Sequence, residues 1–398
     1  MEFTRKTIGR TLQEIAQQYS DRDALVHTEM GVRYSFGFLW RELDQAAGGF
    51  IKAGIERGDR VALCAPNIPQ WIISFLALAR MGAIVVPIDP GAGKDDLHYI
   101  LEHSECKVII LSGGSENEGN VKSALAMRDT IPSLEQIFVI AEESYPETVH
   151  WDELMAMGGD VAPEVLSKVE DALSPEDPVA IMYTSGTTGK PKGVVLDHLG
   201  LINKSIFAMQ AQGVTYEDRL VLFFPLFHMI GNTCIALSGL IKGAAVVLPC
   251  QSFDPSKILH AIHEERCTAI YASPSMLIAL IDHPEFQKDK WKSMVKGTIG
   301  GAPCPIELMR RLVEDIGVSD ITVGYGITEA SSWITLTNPD DPIDLRVSTI
   351  GTPLACNDVK IVDPATGEDL PPKSQGELCT RGFLMKEYYK MPAATAAA

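Results

Sequence analysis

From Arg60 onward, short runs of almost wholly apolar residues alternate with helical stretches: RVALCA, PQWIISFLALARMG closing on Gly82, AIVVPI, KDDLHYILEHSE and KVIILS. A strand with no polar side has no face to offer water, so strands of this kind belong in a parallel sheet covered by helices on both faces. The first half therefore reads as doubly wound α/β. A charged, proline-bearing stretch, EVLSKVEDALSPEDP, marks an expected seam. Beyond it the alternation resumes with VAIMYT, GVVLD, the helical HLGLINKSIFAMQAQ, AAVVLP, PSKILHAIHEERC and AIYAS. After Ser348 short strands with turn signals, DVKIVDPATGEDLPPKSQGELCTRG, read as a small β-rich module. The expected organisation is a first α/β subdomain over about 1–175, a second over about 176–347 and the β-rich module over about 348–398. The ending, MKEYYKMPAATAAA, reads as the start of a helix without a stop signal, as if the chain were a piece of a longer protein.

A chain of 398 residues with 46% hydrophobic residues can bury a large core and fill two or three such units. Lys and Arg number 34 against 52 Asp and Glu, a net charge of −18 that repels nucleic acid and anionic membrane surfaces. Any polyanionic ligand then needs a local cationic site. The N-terminus has no apolar core of the kind an export signal requires. The longest apolar tracts, WIISFLALA and GAIVVPI, are split by Arg80, and no transmembrane segment is expected. Eight cysteines without a CxxC or paired spacing fit buried free thiols in a reducing cytoplasm.

The polar tract YTSGTTGKPKGV, Tyr183 to Val194, supplies the cations. It is not a Walker A loop: Thr184 stands where the first glycine should be, Pro191 follows Lys190, and GVVL reads as a strand where that loop needs a helix. What remains is strand, hydroxyl-rich turn, strand. Such a turn can offer backbone N–H groups and hydroxyls to phosphate oxygens, with Lys190 and Lys192 beside it.

The tract resembles the phosphate-binding loop of the adenylate-forming superfamily, and the resemblance continues in order along the chain. FFPLFHMIGN (223–232) looks like the aromatic and histidine segment of the acyl site, GGAPCP (300–305) like the adenine-side turn, GYGITEAS (324–331) like the nucleotide and magnesium motif, and GELCTRG (376–382) like a strand pair of the β-rich module. GAPCPIELMRRLVED, DPIDLRVSTIGTPL and VKIVDPATGEDLPP look closest to medium- and long-chain fatty acyl-CoA synthetases. The implied fold is the large N-terminal domain of that superfamily: two α/β subdomains layered αβαβα plus a barrel-like β module. The family's later T-G-D aspartate, hinge and small C-terminal domain with its lysine do not occur in these 398 residues.

The implied chemistry is attack of a carboxylate on the α-phosphorus of ATP, then displacement of AMP by the thiol of CoA. On that resemblance, Thr184, Ser185, Gly186, Thr187, Thr188 and Gly189 wrap the β- and γ-phosphates, and Lys190 adds charge. Glu329 holds Mg²⁺, Thr328 donates to the α-phosphate, and Tyr325, between Gly324 and Gly326, offers adenine a flat face. Gly300, Gly301, Ala302 and Pro303 let a base slide against backbone. His228 reads by itself as a core side chain, but its place in the motif puts it beside the substrate carboxylate and α-phosphate. Met229, Gly231, Ile327 and the surroundings of Tyr271 are the candidate acyl pocket. His260, His263 and Glu264 lack H-E-x-x-H spacing and read as a solvated helix face. Three alternatives stay open: an aryl-acid CoA ligase, an adenylating enzyme that loads a carrier protein, and a non-catalytic nucleotide-binding module. Whether the chain forms a homodimer is open as well.

Overall fold

The structure, a computed structural model, describes residues 3–114, 118–184 and 190–398. Two large sheets flank one helical layer. In the first, the spatial order is Val149–His150, Gln136–Ile140, Val108–Ser112, Arg60–Cys64, Ile84–Pro87, Pro178–Thr184 and Lys192–Asp197, all parallel except the last. In the second it is Thr352–Pro353, Ser332–Leu336, Asp320–Ile327, Lys296–Gly300, Ala269–Ala272, Arg219–Val221, Ala245–Leu248, Asp23–His27 and Val32–Ser35. The six strands from Asp320–Ile327 to Asp23–His27 run parallel, and each of the outer three pairs antiparallel with its inner neighbour.

The alternation of side chains along the strands divides the core. Val61, Leu63, Val108, Ile110 and Phe138 point to one side of the first sheet, and Ala62, Cys64, Ile109, Leu111 and Val139 to the other. The second sheet splits likewise: Leu220, Val246, Ala269 and Tyr271 face the shared interior, and Val221, Val247, Ile270 and Ala272 the outside. Helices Ile8–Gln18, Phe36–Lys52, Pro69–Met81 and His198–Ala211 fill the shared interior. Lys94–Ser104 covers the outer face of the first sheet, and Pro255–Glu264 with Pro274–Ile281 that of the second. This is the expected αβαβα layering.

Helix Pro69–Met81 shows why the interior layer forms. Apart from Gln70, Ser74 and Arg80 it is apolar, and every residue except Gln70 is buried, which a helix tolerates only between two covering surfaces. Pro69 starts it, and Gly82 ends it in the left-handed conformation at φ 78°.

Sheet membership departs from sequence order. Pro178–Thr184 and Lys192–Asp197 lie beyond the expected seam yet close the first sheet against Ile84–Pro87, and Asp23–His27 and Val32–Ser35 join the second. The β-rich region is also simpler than expected. Asp358–Val362 and Glu377–Arg381 pair as a two-stranded antiparallel sheet and Thr352–Pro353 extends the nine-stranded one, so among the described residues no barrel closes. Too few strands follow Ser348 to complete one. The ending does contain a short helix, Pro392–Ala396, but residues 386–389 run antiparallel along Lys192–Asp197: Lys386 N–H donates to the Val195 carbonyl at 2.9 Å, and Tyr389 N–H to that of Gly193 at 2.7 Å. An open sheet edge is thereby covered.

Arg80, 3% exposed inside the helical layer, donates to Glu170 at 2.8 Å and to Asp44 at 2.9 Å, with its guanidinium 3.7 Å above the Trp40 ring. Glu170→Ala removes the buried carboxylate and leaves Arg80 only the partly exposed Asp44, so it should lower unfolding free energy by about 3 kcal/mol, the lower end for breaking a buried pair, in denaturant titrations. The double change Arg80→Met, Glu170→Leu should recover most of that loss; an equal loss in both variants would contradict the account.

His198 is fully buried, and its Nδ1 accepts from Ile8 N–H at 3.2 Å. Burial pushes its pKa down to about 4 from an ordinary value of 6.5. The unfolded chain thus takes up the proton first, so this stabilisation is complete above pH 6.5 and is lost as pH falls toward 4, on the order of 3 kcal/mol. Denaturant midpoints measured down that range should fall less steeply for His198→Asn than for the unaltered chain.

Candidate active site

Parallel strands bring their carboxyl ends to one rim, where ligands of open α/β sheets commonly bind. Two such ends, Gly300 and Ile327, lie on neighbouring strands here. After Ile327 the chain makes a short 3₁₀ turn, Thr328–Ala330, and passes through Ser331 at φ 58° and Ser332 at φ 134° before returning as Ser332–Leu336. Two consecutive non-glycine residues in that region hold the turn in an unfavourable backbone conformation, so the surrounding contacts must fix it.

The turn lines a cleft of about 290 Å³ with Thr184, His228, Met229, Ile230, Cys234, Gly301, Gly326, Ile327, Thr328, Glu329, Ser332 and Trp333. Eight of these were sequence candidates: Thr184, His228, Met229, Gly301, Gly326, Ile327, Thr328 and Glu329. Segments separated by more than 100 residues thus converge on one hollow.

Glu329 is the one carboxylate among the described lining residues. The Tyr388 hydroxyl donates to its Oε1 at 2.7 Å, and Met385 N–H donates to its backbone carbonyl at 2.7 Å. Burial, with Glu329 close by, pushes the Tyr388 hydroxyl up to about 12, so it stays a donor at neutral pH. With Thr184, Thr328 and Ser332 beside it, a single carboxylate is the donor set that suits a hard cation completing its shell with phosphate oxygens and water.

His228 is open to solvent on the cleft, and its Nδ1 accepts from Ile230 N–H at 3.2 Å. That bond assigns the proton of the neutral ring to Nε2. Desolvation by the surrounding wall holds its pKa below the ordinary value, so at neutral pH it is an uncharged N–H donor.

Lys190 is exposed, with its Nζ 4.8 Å above the Tyr99 ring, and Tyr99 donates to the Pro191 carbonyl at 3.0 Å. Lys192 stands 4.3 Å above the Tyr388 ring. Both loop cations are therefore seated on aromatic faces at the stem. Ser185, Gly186, Thr187, Thr188 and Gly189 lie outside the described residues.

Other candidates fall around the cleft rather than in its lining. Ala302 and Pro303 are exposed just past Gly301, and Tyr325 is half-buried in the strand leading to the turn. Gly231 is buried where a Cβ would meet the Pro225 carbonyl oxygen at 2.2 Å, so it permits a tight chain reversal. Tyr271 is deep in the core, donating to Gln212 at 2.6 Å. His260, His263 and Glu264 are exposed on helix Pro255–Glu264, and a hollow of about 530 Å³ beside His260 and Glu264 lies away from this site.

Sequence reasoning missed the floor. A Cβ on Gly300 would stand 2.6 Å from the Trp333 indole, and one on Gly324 2.8 Å, so both glycines admit the ring against neighbouring strands. Trp333 is pinned from behind by Lys204, fully buried, whose Nζ donates to the Trp333 carbonyl at 3.2 Å and to Asn357 Oδ1. Burial brings the Lys204 pKa down to about 8. The signal available in the sequence was the pair of strand glycines, which says that something large sits across from them.

The chain resembles known proteins over nearly its whole length. The sequence profile described as AMP-binding enzyme matches residues 12–389. YngI of Bacillus subtilis (strain 168) is 34% identical over 408 residues, covering 99% of this chain and 74% of that protein. The mitochondrial medium-chain acyl-CoA ligase ACSF2 of Danio rerio is 30% identical over 405 residues, covering 96% of this chain and 66% of that protein. The chain thus spans about two thirds to three quarters of the length of these relatives. The crystal structure of the N-terminal domain of FACL13 from Mycobacterium tuberculosis superposes with a TM-score of 0.86 at 26% identity, covering 99% of this chain and 94% of that one.

Because the Gly300 position has no room for a methyl group, Gly300→Ala should cost about 1–3 kcal/mol of stability by overpacking. Adding Trp333→Phe, which shortens the ring, should return much of it. Thermal melts of the three proteins check this, and a neutral single substitution would show that the indole is not pinned.

Proposed function

We propose that this chain, which belongs to the AMP-binding enzyme family, activates a carboxylic acid with ATP and passes the acyl group to CoA. The observation that carries the proposal is the convergence of Thr184, His228, Thr328 and Glu329 on one cleft at the strand ends. A carboxylate oxygen attacks the α-phosphorus as its bond to pyrophosphate breaks. The CoA thiol then gives up its proton and displaces AMP, forming the thioester. Both reactants of the first step are anions, so charge neutralisation and positioning supply much of the rate.

His228, as an uncharged donor, orients the acid and the α-phosphate without trapping either as a salt. Thr328 and Thr184 donate to phosphate oxygens, and Lys190 adds charge from the rim. Glu329 would hold Mg²⁺, which when bound neutralises phosphate charge. The acid is proposed to be a medium- or long-chain fatty acid, a choice supported by the medium-chain ligase relative. The acyl chain would run past Met229 and Ile327.

Among the described residues no helix is long and apolar enough to cross a membrane. The cytoplasm is the proposed compartment, on the free cysteines, while the ACSF2 relative is mitochondrial.

The test is acid-dependent exchange of pyrophosphate into ATP across a panel of fatty, aryl and amino acids, run on the protein and on Glu329→Gln. Exchange should be greatest with fatty acids. The substitution should reduce it by on the order of 10², the scale of losing one charge-stabilising group, while the melting temperature holds. Unaltered exchange by Glu329→Gln would remove Glu329 from the chemistry, and exchange only with aryl or amino acids would replace the substrate class.

A further inference from the structure

We propose that Tyr388 is a positioning residue for Glu329, and that residues 385–389 form a clasp holding that carboxylate in register with the stem of the hydroxyl-rich loop. The proposal rests on the reading of Glu329 as the group that holds Mg²⁺.

Tyr388 is far from Glu329 in sequence and 5% exposed. Its hydroxyl gives Glu329 Oε1 a hydrogen bond of 2.7 Å, which restricts the rotation of a side chain that would otherwise sample several rotamers. Its ring carries the Lys192 ammonium at 4.3 Å, and Lys192 opens the strand that follows the loop. One side chain therefore touches both the candidate metal ligand and the loop stem.

The backbone repeats the connection. Met385 N–H donates to the Glu329 carbonyl at 2.7 Å, and four residues later Tyr389 N–H donates to the Gly193 carbonyl at 2.7 Å. Val195 N–H donates to the Glu387 carbonyl at 3.0 Å between them. The clasp is thus bonded at one end to the turn that bears Glu329, on the second sheet, and along its length to the edge strand of the first. Without it the two groups stand on different sheets, and their spacing would depend on the helical layer and on the direct packing of Lys192–Asp197 against the turn Thr328–Ala330. A bound Mg·ATP must meet both at once, so a fixed spacing lowers the cost of binding it.

Four proteins decide the matter: the unaltered chain, Tyr388→Phe, Glu329→Gln and the double variant. Equilibrium dialysis of ATP, without acid so that no turnover occurs, is measured across a Mg²⁺ titration, and each protein is melted. Tyr388→Phe removes one oxygen and should raise the Mg²⁺ concentration for half-maximal ATP binding about tenfold, the lower end of what loss of a ligand-orienting partner costs. In the Glu329→Gln background the same substitution should add less than twofold, because the group it orients has gone.

An unchanged Mg²⁺ requirement in Tyr388→Phe overturns the proposal. So does an equal rise in both backgrounds, which would mean that the hydroxyl serves the clasp and not the carboxylate. If Glu329→Gln itself keeps the original Mg²⁺ dependence, the reading of Glu329 fails, and the positioning role falls with it. Should Tyr388→Phe not fold, Glu329→Asp, which withdraws the carboxylate from the same hydroxyl by one methylene, should show the tenfold rise; no rise there also overturns the proposal.

Discussion

A strand buried on both faces can expose chemistry only at its ends. The central strands of the two large sheets lie against apolar side chains above and below, so no polar group can be placed along them without a buried partner. The parallel arrangement then puts Gly300 and Ile327 at a common rim, and the residues that follow them are free to be polar. The site is a consequence of that exclusion. Thr328 and Glu329 come one and two residues after the strand Asp320–Ile327 ends, and Gly301 one residue after Lys296–Gly300.

Rigidity at the rim is purchased behind it. The backbone through Ser331 and Ser332 is unfavourable and needs external contacts to persist. Trp333 supplies one by filling the space that Gly300 and Gly324 leave, and Lys204 holds Trp333 through its carbonyl. A buried lysine without a carboxylate partner is costly, and here the depressed pKa of about 8 expresses that cost directly. Its presence in the helical layer makes sense as an anchor for the cleft floor, since an aliphatic side chain could not donate to the Trp333 carbonyl or to Asn357.

Much of this was legible in the sequence, for physical reasons that also mark where legibility stops. Apolar runs such as KVIILS and the proline-to-glycine helix Pro69–Met81 carry their own local signals, so the α/β class and the layering could be read. Which sheet a strand joins is a long-range matter. Pro178–Thr184 looks the same whether it pairs with Ile84–Pro87 or with a later strand, and nothing in its own residues distinguishes them. Closure of the β-rich module is hidden for a related reason: turn signals predict strands but not whether enough of them meet to close a barrel. In the site, Thr328, Glu329 and His228 were found because their types and spacing match a motif, whereas Tyr388 and Lys204 act through contacts with residues far along the chain. Of the ending MKEYYKMPAATAAA, which reads as the start of a helix, Pro392–Ala396 is helical, whereas residues 386–389 pair with the edge of Lys192–Asp197.

The charge distribution adds a constraint on how an anion could enter. A chain of net charge −18 repels ATP at long range, so attraction must come from a few cations acting at short range. Among the described residues Lys190 and Lys192 have no carboxylate partner at the loop stem; each rests on a tyrosine ring, Tyr99 and Tyr388. A cation on an aromatic face keeps its full charge and gives up the contact for roughly 0.5–1 kcal/mol, less than leaving a desolvated carboxylate would cost. The rings thus hold the two ammonium groups near the cleft without neutralising them. The same tyrosines anchor backbone or carboxylate through their hydroxyls, Tyr99 at Pro191 and Tyr388 at Glu329. Tyr99 thus couples the place of Lys190 to the backbone at Pro191, and Tyr388 couples that of Lys192 to the Glu329 carboxylate at the rim.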